Sequence, residues 1–513
     1  MNLPSKYYLF FLLQLWPLLL LYVMTATTRM PWTSIGSPNV KDAVIPREEL
    51  EEVRRQVALG LRETRDYVIF HLERLVDRHP SESLSRMLAE TDDRFRVTQL
   101  DLGSLERIAG LAAWRQSEAV ALAEEAQRRL EILQNPPNCK AAKKLVCTLY
   151  RDAGLGSLVQ QLVNCFMAAY ETGRTFVLAS RGWRYSPKGW QEVFQPLSRT
   201  CVETSSELIG FPGRNGTQDV LFPDLGAPHI PHQPLAVPSD IASRLAKFHE
   251  NPSVWWVGQF IAYLFRPQPK LKRMYERVIK ELNFTNPIVG IHVRRTDKNL
   301  EASYYSLEKY MKHAENYYLD LEVASPLAPP LPRRVFLATE VPALVEEARR
   351  KFPNYEFLWH KNTAEKKFDR FNVQGLMDIM TDMYLLAHSD FVVCTFSSNV
   401  CRLVYEWMHV FRPDASFRVK SLDTSFYVMF GRRSYVSVRF PHHPDTLGEA
   451  EGYTHGEVGQ KLIAGSHRQD GIRHVFVLDS NKHYIKKNLP DYKVKDILDV
   501  VNVTFPEDIL RRP

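Results

Sequence analysis

An apolar, β-branched run, Ile288-Val289-Gly290-Ile291-His292-Val293, ends abruptly in Arg294-Arg295-Thr296-Asp297-Lys298. Two adjacent arginines can form paired hydrogen bonds to a diphosphate. The carboxylates nearby, Asp297 and Glu301, could move a proton beside it. A solvated, charged turn after a strand is the plainer reading of an isolated Arg-Arg pair. Here the run is long and the rest of the chain supplies a matching setting, so it reads as a site. A second candidate is Ser397-Ser398-Asn399, set between the apolar stretch 391–396 and a helix start. Its serines suit an N-cap, and the neighbouring N–H groups that a cap leaves free suit an anion. Cys394 and Cys401 flank that turn. A disulfide would brace it, two buried thiols being the alternative. The glycine turn Arg151 to Ser157 carries Gly154 and Gly156, but Val159 stands where a third glycine would complete a dinucleotide fingerprint, so this signal is weak.

The elements that must position these residues read as α/β. A strand that delivers charge to its end is a buried parallel strand meeting the carboxyl edge of a sheet, where ligands of open α/β sheets bind. Strands are expected at residues 144–150, 175–179, 288–293, 334–339, 355–359 and 391–396, and helices at 158–170 and 374–388. After Lys420 short β-like runs at 421–440, 460–478 and 484–494 predict a small all-β domain. Ahead of all this, Leu50, Val53, Val57, Leu61, Thr64, Val68 and Leu72 recur at nearly heptad spacing, with Leu102, Leu105, Ala109, Ala112, Leu122, Leu130 and Leu133 continuing more loosely. Two or three long helices follow, read first as a dimerising stem and second as helices packing on their own domain.

Tyr7 to Met24 carries no charge and is just long enough to span a bilayer. A cleaved signal peptide is the alternative, with Thr25-Ala26-Thr27 a mediocre cleavage site. The preferred reading is a signal anchor with a lumenal remainder. The six cysteines all follow it, none as Cys-x-x-Cys, which fits disulfides rather than zinc. Sequons stand at Asn215, Asn283 and Asn502. The net charge of +7 is interspersed rather than gathered, which argues against a nucleic-acid partner.

The chain resembles the α1,6-fucosyltransferase (core fucosyltransferase) family of Golgi glycosyltransferases. The resemblance rests on Gly290 to Lys298, Val393 to Cys401, Trp183-Arg184-Tyr185, Pro238-Ser239-Asp240 with Val254-Trp255-Trp256-Val257, and Arg266-Pro267-Gln268-Pro269. It implies a Rossmann-like, GT-B-related catalytic domain, an N-terminal coiled-coil stem and a C-terminal SH3-like barrel. On this chain those become a cytosolic tail 1–6, anchor 7–24, flexible stem 25–46, helical stem 47–134, catalytic domain 135–420 with its GDP-binding half from about 285, SH3-like domain 421–498 and tail 499–513. It implies a type II Golgi membrane enzyme, a homodimer through the stem, that moves fucose from GDP-β-L-fucose to O6 of the innermost GlcNAc of an N-glycan with inversion. Alternatives are a protein O-fucosyltransferase-like enzyme and a GDP-fucose- or glycan-binding protein without turnover.

By the same resemblance Glu301 is the base, with Lys298 beside it and Asp297 close by. Arg294, Arg295, Ser398, Asn399 and Arg151 serve the diphosphate, His292 and Asp378 the guanine, and Tyr185 the donor pocket. The resemblance pairs Cys139 with Cys201, Cys147 with Cys165 and Cys394 with Cys401. No cofactor is expected: no Asp-x-Asp occurs, and the arginines would replace a metal. Departures from the family pattern are Ala153 and Ser157 in place of a cysteine pair, Arg151 for lysine, Glu340-Val341 for Asp-Asp and Asn399 for glutamine. Gln469 also stands where a tryptophan would precede Asp470-Gly471, which argues against peptide binding by the SH3-like domain.

Overall fold

Proline and glycine punctuate the chain in the order the sequence suggests. The computed structural model describes residues 46–503 apart from 150–152, 203, 205–206, 215–218, 224–235, 296–303, 326, 362–370, 425, 427–434, 445–451, 468–471 and 479–483. The anchor at 7–24, nearly all of the flexible stem and the 504–513 tail lie outside the described residues, as do Arg151, Asp297, Lys298, Glu301, Asn215 and the Gln469-Asp470-Gly471 stretch. Among the described residues no helix is long and apolar enough to cross a membrane.

Three helices open the described chain: α1 (Arg47–Arg78), α2 (Glu82–Ile108) and α3 (Leu111–Gln134). Ser81 caps α2 by accepting from the Leu84 N–H at 3.2 Å. Gly110, at φ 64°, takes the left-handed turn between α2 and α3. Next come β1 (Lys144–Thr148), α4 (Leu155–Glu171), β2 (Thr175–Ala179), β3 (Ile209–Gly210) and β4 (Asp219–Leu221). Then follow β5 (Val237–Pro238), α5 (Ser239–Phe248), α6 (Pro252–Leu264) and α7 (Pro269–Glu281). Proline at the first turn of α6 and α7 costs nothing, because the N–H it lacks would have had no partner. The second α/β unit runs β6 (Val289–Val293), α8 (Leu307–Ala324), β7 (Arg334–Thr339), α9 (Pro342–Lys351), β8 (Glu356–Leu358), α10 (Val373–His388), β9 (Phe391–Cys394), α11 (Asn399–Phe411) and β10 (Val419–Ser421). The chain closes with β11 (Tyr435–Val438), β12 (Lys461–His467), β13 (Ile472–Leu478), β14 (Tyr484–Pro490), β15 (Val494–Ile497) and β16 (Val500–Val501).

Two parallel sheets and one antiparallel sheet result. The first is ordered β2-β1-β4-β3 and the second β10-β9-β6-β7-β8, every pairing parallel. Alternation along the strands of the second sheet feeds two cores. Val289, Ile291, Val335 and Leu337 face α8 and α9. Phe336, Ala338, Val392 and Cys394 join one continuous core with Leu145, Phe176 and Val220 of the first sheet. The third sheet, β14-β13-β12-β11-β15, is antiparallel, with Val436, Val438, Val475 and Leu489 inside. The two residues of β16 then return to pair with β5.

The long helices do not stand apart as a stem. Arg54 meets Glu106 and Arg65 meets Asp92, so numbers fall on α2 as they rise on α1 and the two form an antiparallel hairpin. The residues they bury are charged: Glu51, Arg54 and Arg55 on α1, Arg96 on α2. Arg55 binds Glu250 and the Ala246 carbonyl, Arg96 binds Asp320 and the Asn316 carbonyl, and Lys420 binds Asp66. Helix α3 goes further, with Leu122, Ala126, Leu130 and Leu133 in the shared core and Gln134 bonded to both N–H and carbonyl of Phe176. Helices packing on their own domain, the second of the two readings, is therefore what a single chain does. The apolar positions that carried the heptad reading, such as Val53 and Val57, are about half exposed.

Candidate active site

Within the second sheet the chain order is β6, β7, β8, then β9, β10, while the spatial order is β10-β9-β6-β7-β8. The direction of winding thus reverses between β6 and β9. In a doubly wound sheet the crevice at the carboxyl ends of those two strands is where a ligand sits. Arg294 and Arg295 leave β6 there, both half-buried. The Arg295 N–H donates to Glu340 Oε1 at 3.0 Å, just past β7, and its Nε is enclosed without a protein partner. Opposite, Cys394 closes β9 and is bridged to Cys401 inside α11. Arg294, Arg295, Tyr304, Tyr305, Thr395 and Ser397 line a small cavity between the two strand ends.

Ser398 occupies the N-cap position of α11, yet it makes no capping bond, contrary to the simple capping expectation. Its Oγ is buried and has no protein partner. The turn is held by other groups. Arg402, fully buried, donates to the Phe396 carbonyl at 2.8 Å, and Asp423 accepts from the Ser397 N–H. A second helix start lies alongside. Helix α4 leaves the carboxyl edge of the first sheet, and a Cβ added to Gly156 would lie 2.6 Å from that of Asn399. Asn399 Nδ2 donates to Ser157 Oγ at 2.6 Å. Two positive helix ends therefore converge, and Ser397, just ahead of α11, lines the cavity with the arginines.

His292 is the penultimate residue of β6 and Asp378 lies on α10, which packs against β6 and β7; both are buried. Asp378 accepts from Gln374 Nε2 at 2.8 Å. Tyr185 is buried too, and its hydroxyl accepts from the Leu155 N–H at 3.1 Å, which fixes the first residue of α4. Its ring packs on Phe371, over which the Arg184 guanidinium lies at 3.3 Å. The three pairings Cys139–Cys201, Cys147–Cys165 and Cys394–Cys401 are all bonded, with Cα–Cα distances of 5.1, 6.6 and 6.1 Å. Asn283 and Asn502 are exposed. The family described as Alpha-(1,6)-fucosyltransferase N- and catalytic domains matches residues 28–427, the span that builds both parallel sheets and this crevice.

The chain belongs to the α-(1,6)-fucosyltransferase family. An Alpha-(1,6)-fucosyltransferase of Drosophila melanogaster is 39% identical over 439 residues, covering 81% of this chain and 70% of the relative. One of Caenorhabditis elegans is 29% identical over 469 residues, covering 89% and 81%. Among solved structures, the fucosyltransferase NodZ from Bradyrhizobium superposes with a TM-score of 0.32 at 16% identity, over 51% of this chain and 92% of that one, too loosely to transfer any residue. As a family member the protein is a fucosyltransferase.

This fucosyltransferase has site residues that the sequence reading passed over. His360, just beyond β8, bonds Asp382 on α10 at 3.0 Å. Burial would lower its pKa, but the Asp382 bond and the Asp382 and Asp378 charges outweigh it and raise the pKa. No periodicity marks His360; only the β8–α10 contact reveals it. Tyr304, Tyr305 and Arg402 were equally silent, whereas Glu340 stood out in the sequence only as a departure from the family pattern. Elsewhere in the fucosyltransferase, His249, His409 and Asp414 cluster closely enough to suggest a metal. The hydrogen bonds say otherwise. Backbone N–H groups of Asn251 and Ala415 donate to Nδ1 of His249 and His409, so His249 Nε2 carries the proton it shares with His409 at 2.9 Å. A metal on His249 Nε2 would need a proton on Nδ1, facing the Asn251 N–H. The cluster clasps α5 to α11, about 16 Å along the helix from Ser398 at 1.5 Å per residue.

Proposed function

We propose that the protein transfers L-fucose from GDP-β-L-fucose to O6 of the innermost GlcNAc of N-glycans, with inversion. The observation that carries this reading is the pair Arg294-Arg295 at the winding reversal of the second sheet, facing the start of α11, in a chain of this family. GDP leaves once its developing charge is neutralised, and fixed guanidiniums with a helix N-terminus supply that without reorganisation. Arg295 is preset for the task by the Glu340 bond to its backbone. His292 and Asp378 suit guanine, since a carboxylate can accept from its N1–H and amine. Inversion takes one base, and Glu301, with Lys298 and Asp297 beside it, is the proposed group. Arg151 would add charge from the glycine turn. The reaction is proposed to need no metal or other cofactor.

The same reading proposes a Golgi membrane protein, anchored through residues 7–24 with its catalytic part in the lumen and glycosylated at Asn215, Asn283 and Asn502. It also proposes that the α1–α2 hairpin pairs two copies. Val53, Val57, Val97 and Ile108 are 56%, 50%, 53% and 86% exposed, an apolar face that a second hairpin could cover. The antiparallel sheet β11–β15 is proposed to be an SH3-like domain with a structural or glycan-contacting role.

The test is transfer in the presence of EDTA. Wild-type protein, GDP-fucose and an N-glycan with exposed GlcNAc should give one fucose on the innermost GlcNAc. Glu301→Gln should bind GDP as well as wild type and lose transfer by a factor of about 10² or more, the range of general base catalysis. GDP-fucose binding by wild type without any transfer would instead establish a binding protein.

A further inference from the structure

Helices α4 and α11 come from different sheets, and their first turns meet at backbone-close range. A Cβ on Gly156 would sit 2.6 Å from Asn399 Cβ and 3.0 Å from its carbonyl carbon. Each helix start carries about half a positive charge, so two of them side by side repel. Something must hold them together when no anion lies between. Gln160 of α4 bonds Glu406 of α11 further along, and at the first turns themselves a side-chain bond does it: Asn399 Nδ2 to Ser157 Oγ, 2.6 Å, between residues 242 apart in the chain. Two further atoms there are enclosed without a protein partner, Asn399 Oδ1 and Ser398 Oγ. Both keep hydrogen-bonding capacity that no protein atom uses.

We propose that Ser157 and Asn399 form a latch that fixes the two helix starts to each other, making Ser157 a positioning residue for the donor diphosphate. This rests on the reading of the crevice as the GDP-fucose site. Ser157 acts through Asn399 and the α11 turn. Holding like-charged helix ends in place before the anion arrives is preorganisation, and it stabilises the bound diphosphate in ground and transition states alike. Losing it therefore raises KM and the GDP dissociation constant while kcat holds.

The experiment uses the full chain with Ser157→Ala, Asn399→Ala, the double variant and Ser157→Thr. GDP affinity, KM for GDP-fucose, kcat and hydrogen exchange at the first-turn amides of α11 are measured on each. Ser157→Ala should weaken GDP binding and raise KM about fivefold, the size of one neutral hydrogen bond, with faster exchange at residues 400–402. Ser157→Thr, which keeps the hydroxyl, should restore both. In the Asn399→Ala background, Ser157→Ala should have no further effect. The latch is refuted by an equal effect of Ser157→Ala in both backgrounds, or by unchanged exchange. If wild type binds no GDP, the donor-site reading fails, and the exchange result alone decides whether the clamp exists.

Discussion

Glu406 lies on α11 with its side chain wholly buried, and Gln160 Nε2 reaches both of its oxygens at 2.9 and 2.8 Å. Burial pushes the acid from its ordinary 4.5 up to about 8, against the pull of the Gln160 bond and the Arg402 charge. The folded protein therefore keeps a proton here that the unfolded chain releases. The resulting stability is fully present below pH 4.5 and is lost as pH rises through about 8. We expect the melting temperature to fall between pH 5 and pH 8 by an amount that Glu406→Gln, neutral at both, removes. A variant with an unchanged pH slope would show that Glu406 is ionised throughout. At this scale the sequence was legible where chemistry is local. Arg294, Arg295, Ser398 and Asn399 stand at the ends of recognisable strands and meet at the crevice. His360, Glu340 and Arg402 matter through partners that come from other elements, and no spacing along the chain records that.

Strands β2 and β7 fall on the residues expected for them, because short β-branched runs bounded by turns are a local signal. The stretch of α5, α6 and α7 carried no expectation, and the order β10-β9-β6-β7-β8 could not be read off, since pairing between parallel strands is set by packing far along the chain. That packing has hard points. A Cβ on Gly258 of α6 would lie 2.7 Å from the Glu406 carbonyl oxygen of α11, backbone that cannot step aside. Gly258→Ala should cost about 1–3 kcal/mol, as overpacking does. Gly103 in α2 has open space around it, so Gly103→Ala should be neutral or stabilising by up to about 1 kcal/mol. Chemical denaturation of the two variants reads both, and equal effects would mean that the α6–α11 contact is looser than its geometry.

Across the whole molecule, one core spans both parallel sheets, so the two halves of the catalytic region are packed as one body. The hairpin is different: the side chains it buries are charged, while Val53, Val57, Val97 and Ile108 stay exposed among polar neighbours. If those four pair two copies, Val53→Lys with Val57→Lys should give monomers by light scattering while donor binding persists; dimers that survive would place the partner surface elsewhere. The buried charges have their own consequence. A joint made of guanidiniums and carboxylates answers to ionic strength in the opposite sense from an oily one. Added salt screens it at the rim, whereas warming lowers the cost of stripping water from its ions. Brine, then, would fray the joint at its exposed edge and leave its buried ions paired, and a moderate fever would leave it fastened.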